Sequence, residues 1–301
     1  GQLVNGLGQA MGWNSAVKMI VNWFPRSKRA TAIGLFITCV TIGSSFGIRM
    51  AGFLGDQLGW RSAFTFLPAL LGLTVTVFWF FIRDTPGEKG LPDFEDEVHI
   101  ERRIENDPRP NLVLILINRT LWVVGLVYFC FVYVQFGCLV LIPSFLSEAW
   151  SMSIDRASLV SSLILLPGFF AAPLGGYLSD HYFKGRRKPL IIFGLIILAA
   201  SCFALSLGIS FPIGVVALSV VGLMIIMPDI LLASIPSDIF SRKLTATAMG
   251  FLATFTSTSG IVSTAISGKL ADLYGSFSIV FVCFGAVALA GALLACLITE
   301  K

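Results

Sequence analysis

Charge is scarce in this chain. Of its 301 residues 13% are Asp, Glu, Lys or Arg, where soluble domains carry about a quarter. Histidine is scarcer still: with His99 and His181 alone, a zinc or haem centre has almost nothing to ligate it. The six cysteines, Cys39, Cys130, Cys138, Cys202, Cys283 and Cys296, lie in apolar runs without C-x-x-C spacing. They read as small core residues, neither disulfides nor metal ligands. No Gly-rich phosphate loop, nucleophile elbow or signal-peptide pattern occurs, which disfavours an ATP-driven pump and a membrane hydrolase. The expectation is a protein that is not an enzyme and holds no cofactor and no metal.

What is present is apolar bulk. Hydrophobic residues make up 56% of the chain, 26 of them Phe, and a lipid bilayer is the matching solvent. A single helix needs about 20 apolar residues to cross roughly 30 Å of hydrocarbon. Between charged or Pro/Gly-marked breaks the sequence offers such runs at Leu3 to Phe24, Thr31 to Leu54, Ala63 to Ile82, Leu121 to Phe145, Leu159 to Leu178, Leu190 to Ile209, Pro212 to Ile235, Thr247 to Ser267 and Ser278 to Thr299. A barrel would show alternating polarity that these solid runs lack, so the expected class is an all-α membrane protein with nine transmembrane helices.

Residues 24 to 64 and 240 to 280 are one segment written twice. They align without a gap, sharing Phe24/Phe240, Arg26/Arg242, Ala30-Thr31-Ala32/Ala246-Thr247-Ala248, Gly34/Gly250, Gly52/Gly268, Asp56/Asp272, Gly59/Gly275 and Ser62/Ser278. A duplication on this scale in an apolar chain points to a transporter built from parallel repeats. If the first three runs correspond to the last three, the middle triplet needs a counterpart upstream of Gly1, so twelve helices are expected in the intact protein, nine of them here; a true nine-helix protein is the alternative.

Lys and Arg set the orientation. Placing the loop after the first run inside puts sixteen basic residues on one side, including Arg26, Lys28, Arg29, Lys184, Arg186, Arg187, Lys188, Arg242, Lys243 and Lys301, against Arg61, Arg156 and Lys269 on the other. The bias marks the first side as cytoplasmic and places the C-terminus there, in the inner (plasma) membrane. The net charge of +4 then reflects topology, not nucleic-acid binding. Residues 83 to 119 carry nine acidic residues, six basic residues and four prolines, the composition of a solvated tether. The expected organisation is a partial bundle at 1–82, a cytoplasmic connection at 83–119 and a six-helix bundle at 120–301.

The sharpest motif is Gly176-Tyr177-Leu178-Ser179-Asp180-His181-Tyr182-Phe183-Lys184-Gly185-Arg186-Arg187-Lys188-Pro189. It joins a helix end carrying Asp to a tight turn and a basic cluster, able to hold neighbouring helices shut by charge pairing; the plain alternative is a turn that only anchors topology. The string resembles the loop signature of the major facilitator superfamily, found there between the second and third helices of each half. The resemblance implies a gating role for Gly176, Asp180, Gly185, Arg186 and Arg187.

Further strings extend it. Trp23-Phe24-Pro25, Lys28-Arg29-Ala30, Gly59-Trp60-Arg61 and Arg83-Asp84-Thr85-Pro86 followed by Gly90-Leu91-Pro92 look like helices four to six and the central loop of the organophosphate and organic-anion porter branch. That branch exchanges or co-transports small anions such as sugar phosphates, glycerol phosphate and hexuronates. One position departs from it. The phosphate-ester exchangers grip phosphate with an Arg in the first and another in the seventh helix, and aligning on Gly137, Pro143 and Glu148 puts Gln135 where the second Arg belongs. An amide hydrogen-bonds an anion but does not neutralise it, which counts against a phosphate ester.

Intramembrane charge needs a reason, since it costs at least a few kcal/mol. Asp229, beside Pro228, sits on the equivalent of a cavity-lining helix in the resembled fold and is either a coupling carboxylate or a structural partner at the proline break. Arg49 attracts an anionic substrate from the outer side or snorkels outward. Tyr128 and Gln135, seven apart, share one helix face suited to a cavity wall. Thr254, Thr256, Ser257, Thr258 and Ser259 serve close helix packing more often than ligand binding.

The expected function is secondary active transport of a small organic anion by alternating access, driven by a proton or sodium gradient, by a monomer in the lipid bilayer with no nucleic-acid partner. A non-transporting receptor on the same scaffold is the rival, and would need a signalling extension. The motif generates a first test. In the intact protein Asp180→Asn should slow transport by about tenfold or more while leaving substrate affinity nearly unchanged; binding lost in step with transport would move Asp180 into the binding site.

Overall fold

The computed structural model describes residues 16, 19–20, 22–24, 26–83, 86–90, 112–183, 186–240 and 242–298. Among them there is no strand. The helices are α1 (Arg26–Leu58), α2 (Trp60–Phe81), α3 (Leu112–Ile117), α4 (Arg119–Ala149), α5 (Ile154–Leu165), α6 (Gly168–His181), α7 (Lys188–Ser206), α8 (Phe211–Met224), α9 (Met227–Ile239), α10 (Arg242–Tyr274) and α11 (Ser278–Ala295), with a 3-10 turn at Pro86–Lys89.

Seven described segments are long and apolar enough to cross a membrane: Trp60–Phe81, Arg119–Ala149, Ile154–Ala171, Lys188–Ser206, Phe211–Pro236, Thr247–Tyr274 and Ser278–Ala295. This is a multi-pass membrane protein. The expected run Thr31 to Leu54 lies within α1, which is not among the seven, and Leu3 to Phe24 falls largely outside the described residues. The count of nine is therefore not reached among the described residues.

The duplication persists in three dimensions. Helices α1 and α10 are both 33 residues long, and their ends are the same positions of the repeat, Arg26/Arg242 and Leu58/Tyr274. Each stops at the same glycine, Gly59 at φ +84° and Gly275 at φ +59°, a left-handed conformation that ends a helix and costs a glycine nothing. Both helices overrun the apolar runs inside them, because hydropathy marks the edge of hydrocarbon while the glycine marks the end of the hydrogen-bond ladder.

Contacts divide the chain into two units, Gly1–Gly43 with Phe64–Arg109, and Ser44–Ala63 with Pro110–Lys301. The second holds the hydrophobic core. Phe131 on α4 and Phe281 and Phe284 on α11 are fully buried, with the Phe145 ring tilted against Phe281 at 4.5 Å and Tyr133 edge-on to Phe284 at 6.0 Å between centroids. Caps set the helix starts: the Asn118 side chain accepts from Leu121 N–H at 3.0 Å to begin α4, and Ser153 accepts from Arg156 N–H to begin α5, ahead of the run at Leu159. The apolar string Leu112–Ile117, expected within the tether, is helical; Ile115 is buried in this unit's core and Trp122 Nε1 donates to the Leu116 carbonyl.

Small residues let the helices close up. Ser259 and Ser263 of α10 donate to the carbonyls of Phe129 and Tyr133 on α4, both at 2.5 Å. Thr254, Thr256 and Thr258 donate to carbonyls three or four residues back in their own helix. Of the polar run, Ser259 is the member that bonds another helix, while Thr254, Ser257 and Thr258 are exposed.

Gly222 of α8 abuts the Ile164 carbonyl of α5, so a Cβ there would meet backbone. Gly222→Ala should lower stability by about 1 to 3 kcal/mol, read as a lower unfolding temperature in detergent. Gly250→Ala, where a Cβ meets nothing within 4 Å, should be neutral or stabilising by up to about 1 kcal/mol.

Candidate functional site

The site begins with a proline. Pro228 has no N–H, so the Met224 carbonyl loses the donor that a continuous helix would supply, and the passage divides into α8 and α9 with Ile225 and Ile226 as the turn between them. Asp229 therefore stands in the first turn of α9. A carboxyl group there faces the positive end of a helix dipole, which favours negative charge.

Two side chains of α4 reach this break. Tyr128 Oη donates to Asp229 Oδ1 at 2.5 Å and lies 3.5 Å from the Asp229 carbonyl oxygen. Gln135 Nε2 donates to the Ile225 carbonyl at 2.6 Å and lies 3.4 Å from Asp229 Oδ2. Tyr128 is buried, while Gln135 and Asp229 are half-buried. Among the described residues the carboxyl group has only neutral side-chain partners. Its accommodation rests on hydrogen bonds and the helix end, not on a countercharge.

Three of the four residues expected to bind substrate or couple an ion thus converge, two from one helix face and one from the α9 N-terminus. The fourth is elsewhere in the same unit. Arg49 of α1 donates from Nη1 to Asp155 at 2.5 Å and sits 3.5 Å from Ser158 Oγ, with its guanidinium 5.4 Å over the Phe53 ring. Asp155, in the first turn of α5, is the partner that sequence reasoning did not name. Its signal was the S-x-D spacing after the Ser153 cap, an acidic residue placed where a helix start favours one. Beside this pair lies a cavity of about 620 Å³ whose polar lining comprises Ser144, Ser147, Glu148 and Ser158.

Of the motif expected to gate, Gly176 and Asp180 lie on α6, and Arg186 and Arg187 precede α7, Arg186 exposed and Arg187 half-buried. Gly185 lies outside the described residues. The next basic residue, Lys188, donates from Nζ to the carbonyls of Cys296 and Ile298 at 2.6 and 2.9 Å, placing a cation against the negative end of α11. Among the described residues no His, Cys, Asp or Glu cluster could hold a metal ion.

Against known proteins, the sequence pattern of the Major Facilitator Superfamily matches residues 1–149 and 124–301. The chain is 24% identical to a hexuronate transporter of Bacillus subtilis over 97% of its own length and 70% of that protein. It is 27% identical to a probable sulfoacetate transporter of Cupriavidus necator, again over 97% of its own length and 70% of that protein. In fold it is similar to a bacterial homologue of the lysosomal transporter Spinster, solved facing inward, with a TM-score of 0.61 and 16% identity, covering 94% of this chain and 72% of the other.

Removing the Tyr128 hydroxyl leaves a half-buried carboxyl one donor short. Tyr128→Phe should therefore cost about 1 to 3 kcal/mol of stability, measured by thermal unfolding in detergent. Tyr133→Phe, whose hydroxyl lies 3.7 Å from Cys283 Sγ, should cost less.

Proposed function

Because the chain belongs to the Major Facilitator Superfamily, we propose that it moves a small organic anion across the membrane by alternating access, with Asp229 taking up the coupling cation, a proton or sodium. Two bundles, 1–82 and 120–301, joined by the 83–119 connection, would rock about the central site in the inner membrane of the cell, with the C-terminus cytoplasmic and the protein a monomer.

The observation that carries this reading is the Asp229 carboxyl group, set inside a membrane passage and supported by Tyr128 and Gln135 and, among the described residues, without a cationic partner. An ionised carboxylate there repels an incoming anion at short range and low dielectric. Binding a cation removes that repulsion, so the anion and the cation favour each other's binding. This reciprocal preference is what couples one flux to the other. Arg49, engaged by Asp155, would at most attract anions toward the outer end.

Substrate chemistry follows from Gln135. Its amide donates to Ile225 and lies close to Asp229, so it offers an anion hydrogen bonds and no positive charge. A singly charged carboxylate is the better match than a doubly charged phosphate ester. The similarity to transporters named for hexuronate and sulfoacetate supports a carboxylate-bearing substrate.

Asp229→Asn mimics the neutral state permanently. In proteoliposomes of the intact protein, with a hexuronate as the tested substrate, gradient-driven accumulation should fall by about tenfold or more while counterflow exchange persists, since exchange needs no net cation movement. Accumulation that survives in the Asn variant would remove Asp229 from coupling.

A further inference from the structure

Two membrane passages of the second unit are interrupted at prolines, and the interruptions lie against each other. In the first passage Pro167 cannot donate to the Leu163 carbonyl; Leu166 N–H takes that carbonyl instead at 3.2 Å, and Phe169 and Phe170 continue with bonds to residues three back. This tightened stretch separates α5 from α6. In the second passage Pro228 ends the ladder between α8 and α9, where the Ile226 N–H reaches the Leu223 carbonyl at 3.4 Å.

The contact between them is backbone to backbone. A Cβ on Gly222 would strike the Ile164 carbonyl and lie 3.5 Å from Leu165 Cα, while a Cβ on Gly168 would lie 3.0 Å from the Gly222 carbonyl and strike Ile226 Cδ1. Each break is cradled by a glycine of the other passage. Beyond them α6 and α9 stay together, a Cβ on Gly175 falling 2.8 Å from Met227 Cγ, and Gly194 of α7 receives the Pro228 ring in the same manner at 2.9 Å. Packing this close resists shear between α6 and α9, whereas a helix interrupted at proline bends at the interruption.

We propose that α6 and α9 are one moving body that swings about these two stacked breaks, and that Gln135 is a positioning residue whose amide ties the hinge to α4 through the Ile225 carbonyl. Of the polar groups of α4 that reach the break, Gln135 is the one that bonds the turn itself, because Tyr128 bonds Asp229. Arg186, whose N–H bonds the Phe183 carbonyl just after α6, would travel with the body. The inference rests on the transport reading above but not on Asp229 being the coupling group.

The test is a set of spin-label distances in the intact protein in lipid nanodiscs, without substrate, with labels at Tyr182 after α6, Ile239 at the end of α9 and Leu126 on α4. The Tyr182 to Ile239 distance should be single. The distances from each to Leu126 should share two populations that exchange together. Gln135→Leu should raise the ratio of the second population to the first by about fivefold or more and leave the Tyr182 to Ile239 distance unchanged. A purely structural role would lower the unfolding temperature without moving that ratio. If the Leu variant does not fold, Gln135→Asn, which withdraws the amide by one methylene, should give the same shift. Asp229→Asn retains an acceptor and should leave the ratio near that of the natural protein, so a failure of the coupling reading shows in accumulation and a failure of the hinge shows in distances. A Tyr182 to Ile239 distance that splits with the others, or a ratio that neither Gln135 variant moves, would overturn the proposal.

Discussion

Hydrocarbon offers no hydrogen bonds, so a chain crossing it must satisfy its own backbone. Everything distinctive in this protein grows from the places where that rule is strained. Pro167 and Pro228 each withhold a donor that a straight helix would supply. At Pro167 the chain recovers by tightening. At Pro228 the passage divides as well, and a neighbouring helix bonds the turn through Gln135. The division also creates a helix start in the middle of a membrane passage, the one kind of place where an acidic side chain is favoured by the backbone itself. Asp229 occupies it. The candidate site is thus a product of the broken ladder.

Close packing answers the same constraint from another direction. Lipid tails are as apolar as leucine, so helices in a bilayer associate through contact and shared hydrogen bonds. Ser259 and Ser263 bond backbone carbonyls of α4, and Gly222 and Gly168 bring two breaks into backbone contact. Phe131, Phe281 and Phe284 fill what the small residues leave.

Much of this could be read from residues alone. The duplication was visible because glycine and arginine recur at one spacing, and the structure repeats it to the residue at both ends of α1 and α10. Tyr128 and Gln135 could be placed on one face because seven residues make nearly two turns, and Asp229 stood out because intramembrane carboxyls are costly. Their meeting could not be read, since the spacing of α4 from α9 is set by packing between passages far apart in sequence. Asp155 escaped for a related reason: near a helix start an acidic residue looks ordinary, and only the approach of α1 makes it the partner of Arg49. Leu112–Ile117 was lost to composition, because averaging over the 83–119 connection hid six apolar residues at its end.

The two 33-residue helices carry a last consequence. At about 1.5 Å per residue each is roughly 50 Å long, while the hydrocarbon layer is about 30 Å thick. A helix of that length leans in crossing the layer, or extends into the headgroups, and the length is the same in both copies of the repeat. Lipid thickness then acts on both as a common mechanical load: a thicker bilayer stands them more upright, and a thinner one lets them lean further. Acyl-chain length becomes a physical variable of this protein alongside substrate and ion, and its effect enters through paired rods that evolution copied without changing their length.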